Sequence, residues 1–552
     1  ETMRDAISGF EKLATTELAA SFAESDRTPL TLDDDGNITL PAGLTQSLKA
    51  FYDGGWDMLE TPTELGGIGS PPTVRWGAFE LLVGANPPLA FYTFGNYLSR
   101  IINSCGTESQ KARYVTNMIE RRWGGAMVLT EPDAGSDVGA GRSRATHIEG
   151  DVWDLTGVKR FITNADYDYP ENIVHLVLAR PEGHQAGTKG LSMFIVPKYW
   201  VEEDGSLGER NGAFVTNIEK KMGLKGSCTC ELTLGDRMPC RGLLVGEVHD
   251  GIRQMFMVIE HARMAVGMKS MSTLSTAYLH ALEYCKERIQ GPDLAKAAEK
   301  DSPRVRIIEH PDVRRMLMHQ KSHAEGLRAM ALYTASIQDG IELAGGHGKS
   351  VELDRYNDLL LPLVKGFASH RVWEILGNES LQCFGGAGYV KDYPIEQYCR
   401  DQKIDSLYEG TTHIQALDLF FRKIARDGGE TLKGHLGRIQ KTIAVLGDDM
   451  AVEKAALTRA LGDVQSMFMT MLGKLRESIY HVGFQGNRLL LSLAELTIGW
   501  LLVDHARLAG ELSDGATGRR QAYLRGKQAS ARYFCQNVLP TLTLTRKLIE
   551  AG

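Results

Sequence analysis

Several things are missing from this sequence, and each absence removes a class of function. Its 552 residues carry 62 Lys and Arg against 69 Asp and Glu, a net charge of -7, so no basic excess is available to hold a nucleic acid, and no Lys/Arg cluster is interleaved with aromatics. Cysteine is scarce, eight in all without regular spacing, which excludes a disulfide framework and points to a reducing compartment, with cytoplasm as the expectation. Cys228 and Cys230, with Cys240 downstream, lack a His or a fourth Cys at ligand spacing, so they read as buried structural thiols and no metal is expected. Long uninterrupted apolar runs are lacking too. The nearest approach, Leu489 to Val503, is broken by Ser492, Glu495 and Thr497 and reads as a packed helix, not a transmembrane segment. No signal-peptide pattern stands at the start, although the sequence begins with Glu1 and not Met, which leaves room for preceding residues. Internal repeats and low-complexity linkers are absent.

What is present is the composition of a globular protein, 43% hydrophobic and 24% charged, in a chain long enough to need about two to four domains. From Met3 to about Trp123 the apolar residues follow helical spacing, interrupted by Gly/Pro-rich turns such as Pro62 to Gly69 and a short hairpin-like piece near Asp33 to Leu40. From Gly125 short β-rich runs take over, at Val152 to Leu155, Ile173 to Ala179, Leu191 to Val196 and Cys230 to Leu234, and end near Gly246. Helical periodicity returns from Met255 to Ile424, with the polar stretch Gly291 to Ser302 read as a surface loop. After Gly428-Gly429, two series, Leu432 to Leu446 and Leu457 to Leu475, step by four and three as in a helix bundle. Four segments are expected: a helical domain over 1–124, a β-barrel-like domain over 125–248, a helical bundle over 249–428 and an extra helical block over 429–552.

Four short motifs carry candidate chemistry. Tyr408-Glu409-Gly410 precedes a helix whose predicted capping box is Thr412 with Gln415, with a stop at Gly428; Glu409 is therefore expected on a turn, able to take a proton with its side chain and donate a hydrogen bond with its main chain, although a solvated Glu would look the same. Met127 to Asp137 reads as a strand running into a Gly/Ser turn that could meet a phosphate or a heterocycle edge, or be a plain β-turn. In Gly157 to Ala165 a ring, Phe161, and a hydroxyl, Thr163, share one strand face and could engage a planar ring, as could any half-buried strand. Gln382 to Tyr389 places glycines after a helix where backbone can approach a ligand, but Lys391 stands where a dinucleotide fingerprint needs its last glycine. Gly348-Lys349-Ser350 is no P-loop, because Leu343 occupies the first glycine position.

In this order and spacing the motifs resemble the acyl-CoA dehydrogenase family over roughly the first four fifths of the chain. The resemblance implies an N-terminal α-helical domain, a middle β-barrel domain and a C-terminal four-helix bundle carrying the base, with the last block as an additional helical domain. It implies FAD as cofactor, contacted by Met127, Leu129, Thr130, Gly135 and Ser136, by the strand Phe161-Ile162-Thr163, by Arg288 and Gln290, by Gln382, Gly385 and Gly386 from a neighbouring subunit, and by Thr411 and His413. Many members carry Trp where Phe161 stands, and Gly291 follows Gln290 where relatives have Phe-Gly. For the acyl-CoA substrate it implies Ser136, Glu260, Arg263 and Gly410. Some members take their base from the position of Ala262, which cannot accept a proton, so the resemblance leaves Glu409 as base.

The implied reaction is α,β-dehydrogenation of a fatty acyl-CoA to a trans-2-enoyl-CoA, with electrons passed to an electron-transfer flavoprotein. The extra block and His310 to Arg315 resemble the family's long bacterial class, which includes broad-range fatty acyl-CoA and 3-methylmercaptopropionyl-CoA dehydrogenases, and which by fold analogy favours a homodimer. A short or sulfur-containing acyl-CoA, an acyl-CoA oxidase and a non-catalytic acyl-CoA-binding scaffold are the alternatives.

Overall fold

The computed structural model describes residues 2–552, and the chain divides into two units, Glu1–Ala262 and Arg263–Gly552. In the first unit, the amphipathic helices Ala42–Asp53 and Gly95–Cys105 and the more uniformly apolar Pro72–Ala85 precede the β-rich region. The expected hairpin is Thr31–Leu32 paired with Ile38–Thr39; the Asp33 carboxylate accepts the Asp35 and Asn37 N–H groups at 3.0 and 2.8 Å, and Gly36 takes the left-handed turn position at φ 82°.

An eight-stranded sheet follows, with a separate hairpin Tyr199–Val201 and Leu207–Arg210 between its strands: β1 Gly124–Val128, β2 Arg144–Glu149, β3 Val152–Thr163, β4 Ile173–Pro181, β5 Ser192–Pro197, β6 Ala213–Ile218, β7 Thr229–Leu234 and β8 Arg241–Leu244. Their order is β6-β7-β3-β8-β5-β4-β1, and β2 pairs with both β3 and β4, so that β3, β8, β5, β4 and β2 close a ring. This is the expected barrel-like arrangement. The apolar run Ile173 to Ala179 in β4, interrupted by the buried His175, reflects burial on both faces: Leu44, Leu48, Phe51 and Tyr92 pack with Val177 and Phe194 in one core, while Ile101, Tyr114 and Trp123 pack with Val174, Leu176 and Ile195 in another.

The second unit is helical. It holds most of the helix Gly251–Glu287, then Pro311–Leu343 with proline at its first turn, then a nearly continuous helical path from Val351 to Phe384. That path widens into π-helical turns at Leu363–Phe367 and Leu376–Ser380; the first directly follows Pro362, which has no N–H to give. The stretch Gly291 to Ser302 is not a simple loop, because Ile289–Pro292 pairs with Arg304–Arg306 and makes it the tip of an exposed hairpin.

The extra block consists of helices Glu430–Val445, Ala451–Leu475, Ile479–Glu511, Gly518–Asn537 and Thr541–Ala551; Leu446 falls just outside the first. It is tied to the bundle through buried and part-buried polar groups. Tyr356 hydroxyl meets His435 Nδ1 at 3.0 Å, His435 Nε2 meets Thr497 at 2.9 Å, and Arg371 donates to Glu495 at 2.8 Å. Gly326 lets its helix close on Ile498, where a Cβ would collide. Ile479–Glu511 is, among the described residues, one helix long and apolar enough to cross a membrane, and its apolar stretch from Leu489 to Val503 is almost wholly covered by the second unit's other helices.

Candidate active site

Glu409 sits where the chain leaves the helix Ile395–Gln402 and a short 3-10 turn, Lys403–Ser406, before entering the helix Thr412–Leu417. It lies on a turn, as expected, with φ 55°, a left-handed conformation that a non-glycine residue holds only under constraint. The cap is one residue earlier than the sequence spacing suggests. Thr411, not Thr412, accepts the Ile414 N–H at 3.3 Å, and Gln415 reaches back further, donating Nε2 to the Glu409 carbonyl at 2.9 Å. Gly428 ends the helical run in the left-handed position.

Behind the turn lies a saturated anchor. Asp405 is fully buried and accepts Lys269 Nζ on both oxygens at 2.9 Å, Ser270 hydroxyl at 2.9 Å and Tyr408 hydroxyl at 2.8 Å, which fastens the residue before Glu409. Lys365 donates to the Gly410 carbonyl on the other side. By contrast, no described residue donates a hydrogen bond to the Glu409 carboxylate, and none accepts its backbone N–H. Part of the Glu409 surface is open. Burial of the rest raises its pKa above the ordinary carboxylate value, opposed by the positive charge of Lys365 and then of Arg263. Arg263, expected to line a substrate channel, is buried and paired with Asp418 at 2.7 Å. His413 is half-buried on the helix that Thr411 caps, and Gly410 is left-handed at φ 85°.

In the first unit, β1 runs out through Leu129 to Thr130, whose carbonyl accepts the Arg160 N–H at 2.9 Å and so brings the first two motifs side by side. Met127 and Leu129 are half-buried and alternate with buried Ala126 and Val128; Gly135 and Ser136 are exposed on the turn beyond. Glu131 shapes that turn. Its carboxylate accepts Arg142 N–H at 2.5 Å, Ser143 N–H at 3.1 Å and Lys159 Nζ at 2.8 Å, and Lys159, itself fully buried, also donates to the Leu129 and Leu178 carbonyls at 3.0 and 2.6 Å. Burial pushes Glu131 up, but Lys159 and these donors hold it below the usual carboxylate value.

Phe161 is 56% exposed at φ 60°, at a register shift where β3 departs from regular pairing with β7. Ile162 points into the core and can offer a ligand only its backbone, while Phe161 and Thr163 flank it on the open face, as the two-residue spacing predicts. Glu260, on the last helical turns of this unit, is half-buried.

A cavity of about 720 Å³ in the second unit gathers Arg288, Gln290, Gln382, Gly385 and Gly386. Arg288 donates to Gln290 Oε1 at 3.0 Å, His310 Nε2 donates to the Gln290 carbonyl at 2.7 Å, and Tyr284 stacks on Phe384 with ring centroids 4.5 Å apart. Gly385, at φ 57°, and Gly386 have open space where a Cβ would project, so the cavity wall there is bare backbone. Another cavity of about 610 Å³ in the first unit, lined by His184, Thr188, Lys189 and His249, contains none of the expected residues. Among the described residues no group of three or more His, Cys, Asp or Glu is placed to hold a metal ion.

Sequence reading missed the supporting residues Lys365, Asp405 and Lys269 and the Glu131–Lys159 pair. A signal existed for Lys365, a lone cation inside the apolar run Leu359 to Ala368.

Family models match the chain in four consecutive stretches: the acyl-CoA dehydrogenase N-terminal domain over residues 11–122, the middle domain over 126–236, the C-terminal domain over 249–422, and an acetyl-CoA dehydrogenase C-terminal-like domain over 435–552. The broad-specificity linear acyl-CoA dehydrogenase FadE5 of Mycobacterium tuberculosis is 49% identical over 564 residues, covering 100% of this chain and 92% of that protein. The 3-methylmercaptopropionyl-CoA dehydrogenase of Ruegeria pomeroyi is 36% identical over 517 residues, covering 92% of this chain and 85% of its own length. A solved acyl-CoA dehydrogenase from Bacillus anthracis, complexed with FAD, shares the fold with a TM-score of 0.75 at 22% identity, covering 100% of this chain and 88% of that one.

Proposed function

The chain belongs to the acyl-CoA dehydrogenase family, and from that premise we propose that Glu409 is the base with which it dehydrogenates linear fatty acyl-CoA thioesters to trans-2-enoyl-CoA. It is an acyl-CoA dehydrogenase of fatty acid metabolism that uses FAD. Within that activity the fatty acyl substrate range follows the 49% identity to a broad-specificity linear enzyme, and a sulfur-containing short acyl-CoA is the second reading, favoured by the 36% relative.

The observation that carries the base assignment is a carboxylate raised by burial and left without any hydrogen-bond donor among the described residues, on a turn whose Glu409 and Gly410 carbonyls are both held. A thioester α-hydrogen is far too weakly acidic for an ordinary carboxylate in water, so the site must strengthen the base and polarise the carbonyl. Glu409 answers the first need through its raised pKa, which brings the carboxylate closer in basicity to the carbon acid. Its uncommitted backbone N–H answers the second, as a donor to the thioester oxygen, where negative charge grows as the α-proton leaves.

The residues present fit FAD. Thr130, Ser136, Phe161 and Thr163 lie on open surface of the first unit, suited to the edge and face of a flat polar ring, and Met127, Leu129, Gly135 and Ile162 complete that stretch. In the second unit the exposed Arg288 guanidinium and the bare backbone at Gly385 and Gly386 suit a phosphate-bearing nucleotide end, with Gln290, Gln382, Thr411 and His413 as further contacts. When bound, FAD supplies the acceptor for the β-hydride. Ser136, Glu260, Arg263 and Gly410 are assigned to the acyl-CoA, Arg263 acting through charge with its Nη1 held by Asp418. An electron-transfer flavoprotein as acceptor, a homodimeric assembly, a cytoplasmic location and the four-part division at 124, 248 and 428 complete the proposal.

The test is anaerobic bleaching of the flavin absorbance by butyryl-, palmitoyl- and 3-methylmercaptopropionyl-CoA, in the wild type and in Glu409→Gln. Rapid bleaching by the linear fatty acyl thioesters, abolished in the variant, is the expected result. Bleaching by the sulfur-containing thioester alone moves the substrate to the second reading, and an unaffected variant removes Glu409 as base.

A further inference from the structure

The turn that presents Glu409 is held from behind by a lysine. Lys365 lies in the π-helical turn Leu363–Phe367, its side chain wholly buried in a stretch that is otherwise apolar. A buried ammonium needs a hydrogen-bond acceptor or a counter-charge. Its Nζ donates to the Gly410 carbonyl, the peptide oxygen next to Glu409, and it makes no ion pair with any described carboxylate. The charged groups around it are otherwise engaged. Asp405 is saturated by Lys269, Ser270 and Tyr408, and Arg263 is paired with Asp418 at 2.7 Å. Glu409 is the carboxylate left over, and Lys365 is the cation left over.

We propose that Lys365 is a positioning residue for Glu409: its ammonium fixes the Gly410 peptide that sets the turn and supplies the positive charge that keeps the Glu409 carboxylate ionised in spite of its burial. This rests on Glu409 being the base. Two further observations agree. Lys365 is the largest opposing influence on the raised Glu409, ahead of Arg263. Reciprocally, burial lowers Lys365 to about 8, against the attraction of Asp405 and Glu409 and with the repulsion of Arg263. Geometry and charge act together, since Gln415 holds the Glu409 carbonyl at 2.9 Å while Lys365 holds the next one. The π-helical turn fits the same role, because it displaces this stretch from α-helical register at the residue that reaches the turn.

The test is the pH profile of flavin reduction by palmitoyl-CoA under anaerobic conditions, measured on FAD-loaded wild type, Lys365→Met and Lys365→Arg. Loss of the charge makes Glu409 harder to ionise, so the acid limb of Lys365→Met moves to higher pH by about one unit or more, a tenfold loss of rate at the foot of the limb. Lys365→Arg keeps that limb in place while slowing the plateau through its different reach. An acid limb in Lys365→Met that coincides with the wild type overturns the proposal. Should Lys365→Met not fold, the alkaline limb decides: the wild type loses rate as Lys365 deprotonates near about 8 and Lys365→Arg does not, whereas coincident alkaline limbs overturn it. Glu409→Gln, run in the same series, separates the two assignments. Undiminished reduction there overturns both, while an inert Glu409→Gln beside an unmoved limb in Lys365→Met overturns this one alone.

Discussion

Glu131 in the first unit accepts hydrogen bonds from Lys159, Arg142 and Ser143 and is held below the ordinary carboxylate value, whereas the Glu409 carboxylate in the second accepts none from any described residue and is raised above it. Both stand on turns at the end of regular structure, both are largely withdrawn from water, and each has a fully buried lysine nearby. What separates them is where the lysine points. Lys159 donates to the carboxylate itself, so Glu131 becomes a strut that holds the Thr130 turn open. Lys365 donates instead to a neighbouring carbonyl, which leaves the Glu409 carboxylate under the influence of the charge but free to take a proton. On the proposed reading, a carboxylate is made reactive by being denied partners while the carbonyls beside it are given them.

The largest effect that could break this comparison is expected at the strut. Glu131→Gln leaves Lys159 buried without its counter-charge, and removing one partner of a buried pair costs about 3 kcal/mol or more, read as a fall of several degrees in the first unfolding transition. An unchanged transition would mean that the pair is not structural. The next effect runs the other way. Because the folded pKa of Glu409 is raised, its contribution to stability is fully present below the unfolded value of 4.5 and is lost as pH rises through the folded one, so ionised Glu409 is a liability at neutral pH. Glu409→Gln therefore raises the unfolding midpoint at pH 7 and leaves it unchanged near pH 4. The strut has the opposite sign: with a depressed folded pKa, its contribution is present above 4.5 and lost as pH falls through the folded value, so the Glu131→Gln penalty shrinks in acid. Parallel pH dependences in the two variants would erase the distinction. The smallest effect sharpens it locally. Thr411→Ala removes the cap on the Ile414 N–H and costs about 1 kcal/mol, with a modest slowing of flavin reduction because the turn is held from behind by Lys365 and Gln415.

Much of this site was legible in the sequence, but unevenly. Glu409 on a turn and Phe161 and Thr163 on one open strand face follow from local spacing, whereas Arg288, Gln382 and the two glycines were read from the family resemblance and meet in one cavity of the fold. The cap was placed one residue late because Thr411 and Thr412 are adjacent and either hydroxyl suits the spacing; only the backbone shows that Gln415 serves the Glu409 carbonyl and not the cap. Strands β2, β6 and β8 were not identified, since they are short, carry Arg, Thr, Asn or Gly among their apolar residues, and exist because neighbouring strands pair with them. The Gly291 to Ser302 stretch was taken for a loop because the strand that closes its hairpin, Arg304–Arg306, is only Arg-Val-Arg and shows no apolar run. Lys269 and Asp405 are 136 residues apart, and Glu131 and Lys159 28, so these pairs are products of the fold and leave no local pattern to read.

The central claim is that an uncommitted carboxylate at position 409 removes a proton from the α-carbon of an acyl-CoA. Its most direct test is incorporation of solvent deuterium at the α-carbon of palmitoyl-CoA during incubation with the FAD-loaded enzyme without an electron acceptor, followed by mass spectrometry for the wild type and Glu409→Gln. Incorporation by the wild type, increasing with pH as Glu409 ionises and absent in the variant, is the predicted result; equal incorporation by both would place the base elsewhere.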